Sequence, residues 1–233
     1  MAKNIENALI IWIVHFFVWN AFAAFFAISD YREWFKKYKI ARDHRISYLK
    51  ILPTALFNQI FVMLPVMLFI DYFDFGFGNN HHPWWILILH AYALGIIHDI
   101  VFYFGHRLLH TKIGFKKLRH YIHHESQGGT AAASLYMSPS DFFIEIVAPY
   151  MTFILIFPTN FYFNCLLASI GSVAAMYEHS GYCFTTWSPL DTRPHISHHG
   201  KRINASFSEG VLSPGWCDKL SGSSFTAREK EKV

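Results

Sequence analysis

The run "ALIIWIVHFFVWNAFAAFFAI", Ala8 to Ile28, contains no Asp, Glu, Lys or Arg. In hydrocarbon a backbone can satisfy its own polar groups only as a helix or a closed barrel, and a helix of this length crosses about 30 Å of bilayer core. The feature recurs. Ile51 to Ile70 forms a second apolar run with Pro53 near its start and Pro65 inside as an expected kink, and Trp84 to Phe104 forms a third, opening on two tryptophans suited to an interface. Phe142 to Phe157 and Phe161 to Tyr177 are shorter and are joined by a tight "PTN" turn, so they are expected to span or to re-enter. The composition agrees: 53% of residues are hydrophobic and 15% are charged, against roughly 25% charged in soluble domains. An all-α integral membrane protein with four to five transmembrane or re-entrant helices is expected, without a removable signal peptide.

Lysine and arginine set the orientation through the positive-inside rule. Seven lie between the first two runs (Arg32, Lys36, Lys37, Lys39, Arg42, Arg45 and Lys50), five lie between residues 105 and 124, and seven lie in the tail, whereas only Lys3 falls in the alternate loops. The basic loops and the tail are therefore expected on the cytosolic side. A formal charge of +4, interleaved with apolar runs, argues against a nucleic-acid partner. Cys165, Cys183 and Cys217 show no paired spacing and predict neither a disulfide scaffold nor a thiolate metal site.

Fifteen histidines are anomalous in such a chain, because ionisable residues are costly at membrane depth and concentrate at functional sites. His106 and His110 stand four apart, on one face if the helix continues, and His120, His123 and His124 have i, i+3, i+4 spacing that predicts three imidazoles on one face. The spacing repeats at His195, His198 and His199, with His179 between the two boxes. Nine imidazoles on one membrane face exceed the needs of one ion and fit two, each with an open position. The metalloprotease pattern HExxH is absent from the chain.

In order and spacing, "HDIVFYFGHRLLH", "RHYIHHES", "YEHSGY" and "HISHHGKRINASF" resemble the motifs of the fatty acid hydroxylase superfamily, integral-membrane di-iron enzymes of lipid oxidation. The resemblance covers about residues 84 to 223, and "SLYMSPSDFF" and "HSGY" look most like the sterol-acting branch, the methylsterol oxidases and cholesterol 25-hydroxylase. It implies N-terminal transmembrane helices over residues 1–83 and a catalytic domain over 84–233 whose cytosolic, histidine-rich cap holds a dimetal site. It implies metal ligation by His106, His110, His120, His123, His124, His179, His195, His198 and His199, with Asp99 orienting a ligand imidazole and Asn204 in a supporting position. The implied cofactor is two iron ions, with zinc able to take the same nitrogens in isolated protein. The implied partners are a sterol or long-chain lipid and an electron donor such as cytochrome b5 with its reductase. In a eukaryotic cell the implied location is the endoplasmic reticulum membrane, although the final "KEKV" does not match a dilysine retrieval signal.

The chain departs from that pattern at Ala175, where many relatives carry histidine or asparagine, and in "WCDKLSGS", where Cys217 is inserted. Ala175 predicts a more open shell for one metal. His98 is an alternative ligand in compensation, and "FFIEIVAPY", Phe142 to Tyr150, is a candidate cavity lining. His15 and His90 are expected to bond between helices, and His81 and His82 to lie on the luminal side. The expected reaction is oxidation of an unactivated C–H bond by dioxygen and external electrons, chemistry that side chains cannot supply without a cofactor. The alternatives are a desaturase of the same superfamily and a metal-binding membrane protein without oxygenase activity.

Overall fold

A computed structural model describes residues 5–41, 46–75, 77, 82–157 and 159–225. His44, His81 and the terminal "KEKV" lie outside the described residues. The described chain is helical. Four helices are long and apolar enough to cross a membrane: α1 (Glu6–Arg32), α2 (Tyr48–Tyr72), α3 (Trp84–Leu109) and, later in the chain, α6 (Pro139–Ile156). Between α3 and α6 lie two short helices, α4 (Lys112–Lys117) and α5 (Tyr121–His124). A nineteen-residue helix, α7 (Phe161–His179), packs along α1 and is more polar than the four. The short helices α8 (Arg193–His199) and α9 (Trp216–Ser221) complete the described fold.

Pro65 does not interrupt α2. A proline nitrogen cannot donate to the carbonyl four residues back, and its ring crowds that carbonyl. The helix widens into a π-turn over Asn58–Met63 and resumes as α-helix at Leu64. Within α6 the same device appears, a π-turn over Phe143–Val147 ahead of Pro149. Helix α3 extends beyond the apolar run to Leu109, so that His106 lies in its last turn and His110 caps it.

Two cores stack along the bundle. Ala8, Ile11, Met67, Ile70, Phe153 and Phe163 close one end. Trp19, Phe26, Ala55, Phe142, Met176 and Tyr182 fill the other, packed beneath the loops that carry the histidine boxes. Buried Asn58 anchors α2 to those loops, its Nδ2 donating to Leu135 O at 3.1 Å and Met137 O at 2.9 Å. The histidine-rich layer thus rests on a packed floor.

Candidate metal centre

The nine predicted histidines converge. They form two groups, His106, His110, His120, His124 and His198 in one, and His123, His179, His195 and His199 in the other. Eight are buried, His124 the most exposed of them at 9%, and His110 is half-buried. The three imidazoles of each box divide between the two groups. In the first box His120 and His124 join one group and His123 the other, and in the second box His195 and His199 share a group while His198 crosses. Rotation of about 100° per residue sets i+4 about 40° to one side of i and i+3 about 60° to the other, so the middle histidine of each box fans toward a different group. Each box therefore braces both groups.

Within the five-histidine group, His110 Nε2 lies 3.2 Å from His106 Nε2, 3.1 Å from His198 Nε2, 3.1 Å from His120 Nε2 and 3.2 Å from His124 Nε2. His106 with His198, and His120 with His124, are each 3.1 Å apart. In the other group His179 Nε2 is 3.2 Å from His123 Nε2 and 3.0 Å from His195 Nε2.

The His106–His198 contact is not a hydrogen bond, because the far side of both rings is already committed. His106 Nδ1 donates to Phe207 O at 2.6 Å, His198 Nδ1 to Ala205 O at 2.7 Å and His179 Nδ1 to Ala175 O at 2.8 Å. A carbonyl can only accept, so each proton sits on Nδ1 and each neutral ring turns a bare Nε2 lone pair inward. Burial first, and the neighbouring imidazoles after it, push His110 and His120 down to about 2, and burial pushes His198 down to about 4. At neutral pH these imidazoles are thus uncharged donors. Two lone pairs 3.1 Å apart repel unless a cation lies between them. With bonds of about 2.1 Å, ligands at right angles sit about 3.0 Å apart and tetrahedral ligands about 3.4 Å. In the five-histidine group one nitrogen lies 3.1–3.2 Å from all four others. Both groups are fit to hold a metal ion.

Support for the rings comes partly from residues that the sequence reading did not name. Asp141 Oδ2 takes His120 Nδ1 at 2.9 Å, with both side chains fully buried. Asp99 contacts Ser208 Oγ at 2.6 Å and Cys217 N at 3.1 Å rather than an imidazole. It acts at one remove, holding the loop whose Phe207 carbonyl receives His106. Asp218 reinforces that loop, accepting from Phe207 N at 3.0 Å and Ser208 N at 2.6 Å. The Asn204 side chain is exposed, and the support at this point comes from the adjacent Ala205 carbonyl. His98 stacks on Phe102 and belongs to neither group. His90 packs among Phe153, Phe157 and Phe163.

A cavity of about 230 Å³ lies among the apolar helices, bounded by Trp19, Met63, His98, Leu135, Ile146 and Ala175. His15 also faces it, as do Val147 and Tyr150 of the "FFIEIVAPY" stretch. Ala175, on the cavity wall, is one helical turn before His179, and Ile146, also on the wall, is adjacent to Glu145.

A conserved-volume substitution tests the carboxylate–imidazole contact. Asp141→Asn is expected to lower metal affinity by about 10–100-fold, the usual range for a supporting partner, with the chain still folded. Metal titration of purified protein measures it, and unchanged affinity would remove Asp141 from the support of His120.

The family model for fatty acid hydroxylase matches residues 91–223, more than half of the chain. The chain belongs to the fatty acid hydroxylase family, and it is a membrane oxidoreductase of that superfamily. It is 28% identical to methylsterol monooxygenase 1 of Gallus gallus over 88% of this chain and 73% of that protein. It is 29% identical to the Rattus norvegicus protein of the same name over 58% of this chain and 51% of that one. A very-long-chain aldehyde decarbonylase of Oryza sativa is 31% identical over 71% of this chain and 66% of that protein. The chain thus spans about half to three quarters of these relatives. No solved structure matches.

Proposed function

We propose that this protein is a di-iron oxygenase that uses dioxygen and external electrons to hydroxylate or oxidise a C–H bond of a sterol or long-chain lipid. The observation that carries the reading is the pair of buried imidazole groups in a bundle of membrane-length helices that also encloses an apolar cavity. The nine histidines would hold two irons, which would activate dioxygen as the oxidant that an unactivated C–H bond requires. The chain's own residues divide the remaining work. The carbonyls of Ala175, Ala205 and Phe207, together with Asp141, fix ring orientation. Leu135, Ile146 and Ala175 offer apolar contact to a lipid and exclude water from the reacting carbon.

The methylsterol monooxygenases among the relatives favour a sterol substrate, and the aldehyde decarbonylase makes a long-chain acyl compound the competing class. The asymmetry of basic residues supports a cytosolic site, in the endoplasmic reticulum if the source cell is eukaryotic. There a carrier such as cytochrome b5, fed by its reductase, would deliver electrons.

Lipid and sterol profiling of cells with and without the protein, under ¹⁸O₂ and with His123→Ala as control, tests the proposal. The expected result is one lipid depleted by the intact protein alone, with a product that gains labelled oxygen. Loss of two hydrogens without oxygen would make it a desaturase. An unchanged profile, from protein that binds metal, would leave it a metal-binding membrane protein.

A further inference from the structure

Glu145 is a carboxylate inside an apolar helix, and it is 2% exposed. Burying a carboxylate is costly without a partner of opposite charge, yet Glu145 Oε1 has no hydrogen-bond partner among the described residues. It meets imidazoles from both groups. Oε1 is 3.4 Å from His106 Nε2 in the five-histidine group, and Oε2 is 3.8 Å from His123 Nε2 in the four-histidine group. Both contacts are to nitrogens on the inward, ligand side of their rings, and a third, longer one runs from Oε1 to the outer Nδ1 of His120 at 3.9 Å. A protonated carboxyl would have a hydrogen to donate, but His106 Nε2 is the lone pair that the geometry already assigns to a metal.

The backbone is arranged to bring this side chain there. Pro149 has no N–H for the carbonyl four residues back, which is that of Glu145, and the helix widens into a π-turn over Phe143–Val147. Such turns re-aim side chains and recur at functional sites. Opposite it stands Gly105, where a Cβ would come within 2.8 Å of Ile144 Cγ2. A larger residue there would force the Ile144 side chain to shift, one residue before His106 and one residue before Glu145.

Charge points the same way. Nine neutral imidazoles leave two divalent ions uncompensated in a buried, low-dielectric site, and bound cations are the dominant local charges in such places. Asp141 is turned to the outer nitrogen of His120. Glu145 is the carboxyl group that reaches histidines of both groups.

From this geometry we infer that Glu145 is a tenth ligand of the metal centre, offering one carboxylate oxygen to each metal position and joining the two. The inference rests on the dimetal reading above and adds a residue to it. Glu145→Gln keeps the shape and removes the charge, so purified wild-type and variant protein are stripped of metal and reloaded with Fe(II) or with Mn(II) without oxygen. The expected result is two ions per wild-type chain, magnetically coupled in the Mn(II) spectrum. In the variant, affinity for at least one ion falls by about tenfold or more and the coupling is lost. Infrared spectra of wild-type protein labelled with ¹³C in its glutamate carboxylates provide a measurement independent of any variant. A glutamate band is expected to shift when metal is added. Two ions bound to Glu145→Gln with wild-type affinity and coupling would overturn the inference and leave the dimetal reading intact. A labelled band that metal does not move would also overturn it. Failure of the wild-type protein to bind two ions would instead overturn the dimetal reading.

Discussion

His110→Ala is expected to leave the protein with one tightly held metal and almost no product formation. His110 Nε2 touches all four other nitrogens of its group, at 3.1–3.2 Å. Its removal opens the site at the position the others share. Losing only a supporting partner costs about 10–100-fold in metal affinity, so loss of this nitrogen is expected to cost more than about 100-fold, some 2.7 kcal/mol at 1.36 kcal/mol per factor of ten. The half-buried ring sits at the helix cap rather than in either core, so the fold should survive its truncation. His98→Ala is the matched control, since His98 faces the cavity and lies outside both groups. It is expected to keep two metals. Elemental analysis and single-turnover assays on both variants check this. Two ions retained by His110→Ala at wild-type affinity would refute the five-nitrogen site.

Much of this arrangement was legible in the sequence because it rests on composition and short spacing. Apolar runs predict the four long helices, and i, i+4 spacing sets His106 and His110 on one face, where they fall in one group. The assignment of box members to two groups was not legible from spacing alone. It depends on how α5 and α8 dock against each other, and helical rotation then sends His123 and His198 across. Spacing does not single out Asp141 and Glu145, which lie at the edge of, and inside, an apolar stretch that predicts a cavity wall. The usable signal was there: two carboxylates four apart in a membrane-length helix need a partner. Asp99 illustrates the reverse case. The acidic residue was singled out, but its contact is to Ser208 and the tail, because α9 folds back onto α3 and takes it.

The largest expected loss of stability is from Lys39→Met, at a position that the charge pattern reads as one more basic loop residue. Lys39 is 3% exposed, and its Nζ donates to Asp30 Oδ1 at 2.6 Å, Ser180 O at 2.6 Å and Gly129 O at 3.2 Å. The ammonium also lies 4.3 Å from the centre of the Tyr182 ring. Around it the chain pairs with the segment after His179, through Ile40 N to Gly181 O at 2.8 Å and Cys183 N to Tyr38 O at 2.9 Å. Gly181 is required there, with φ of +74° and Ala41 O lying 2.9 Å from where a Cβ would stand. Lys39 thus ties the end of α1 to the loops that follow two of the histidine-bearing segments. Removing one member of a buried ion pair costs about 3–5 kcal/mol, because the other charge is left without compensation. At about 2–4 °C per kcal/mol in a chain of this size, the melting temperature should fall by on the order of 10 °C. Asp30→Asn added to Lys39→Met removes the stranded carboxylate and is expected to restore more than half of the loss. Thermal unfolding in detergent, read with metal content, separates the cases. A double variant no more stable than the single one would show that packing, rather than charge pairing, makes Lys39 necessary. Metal released before the melting transition in Lys39→Met alone would show that the tie holds His179 in register for its ion.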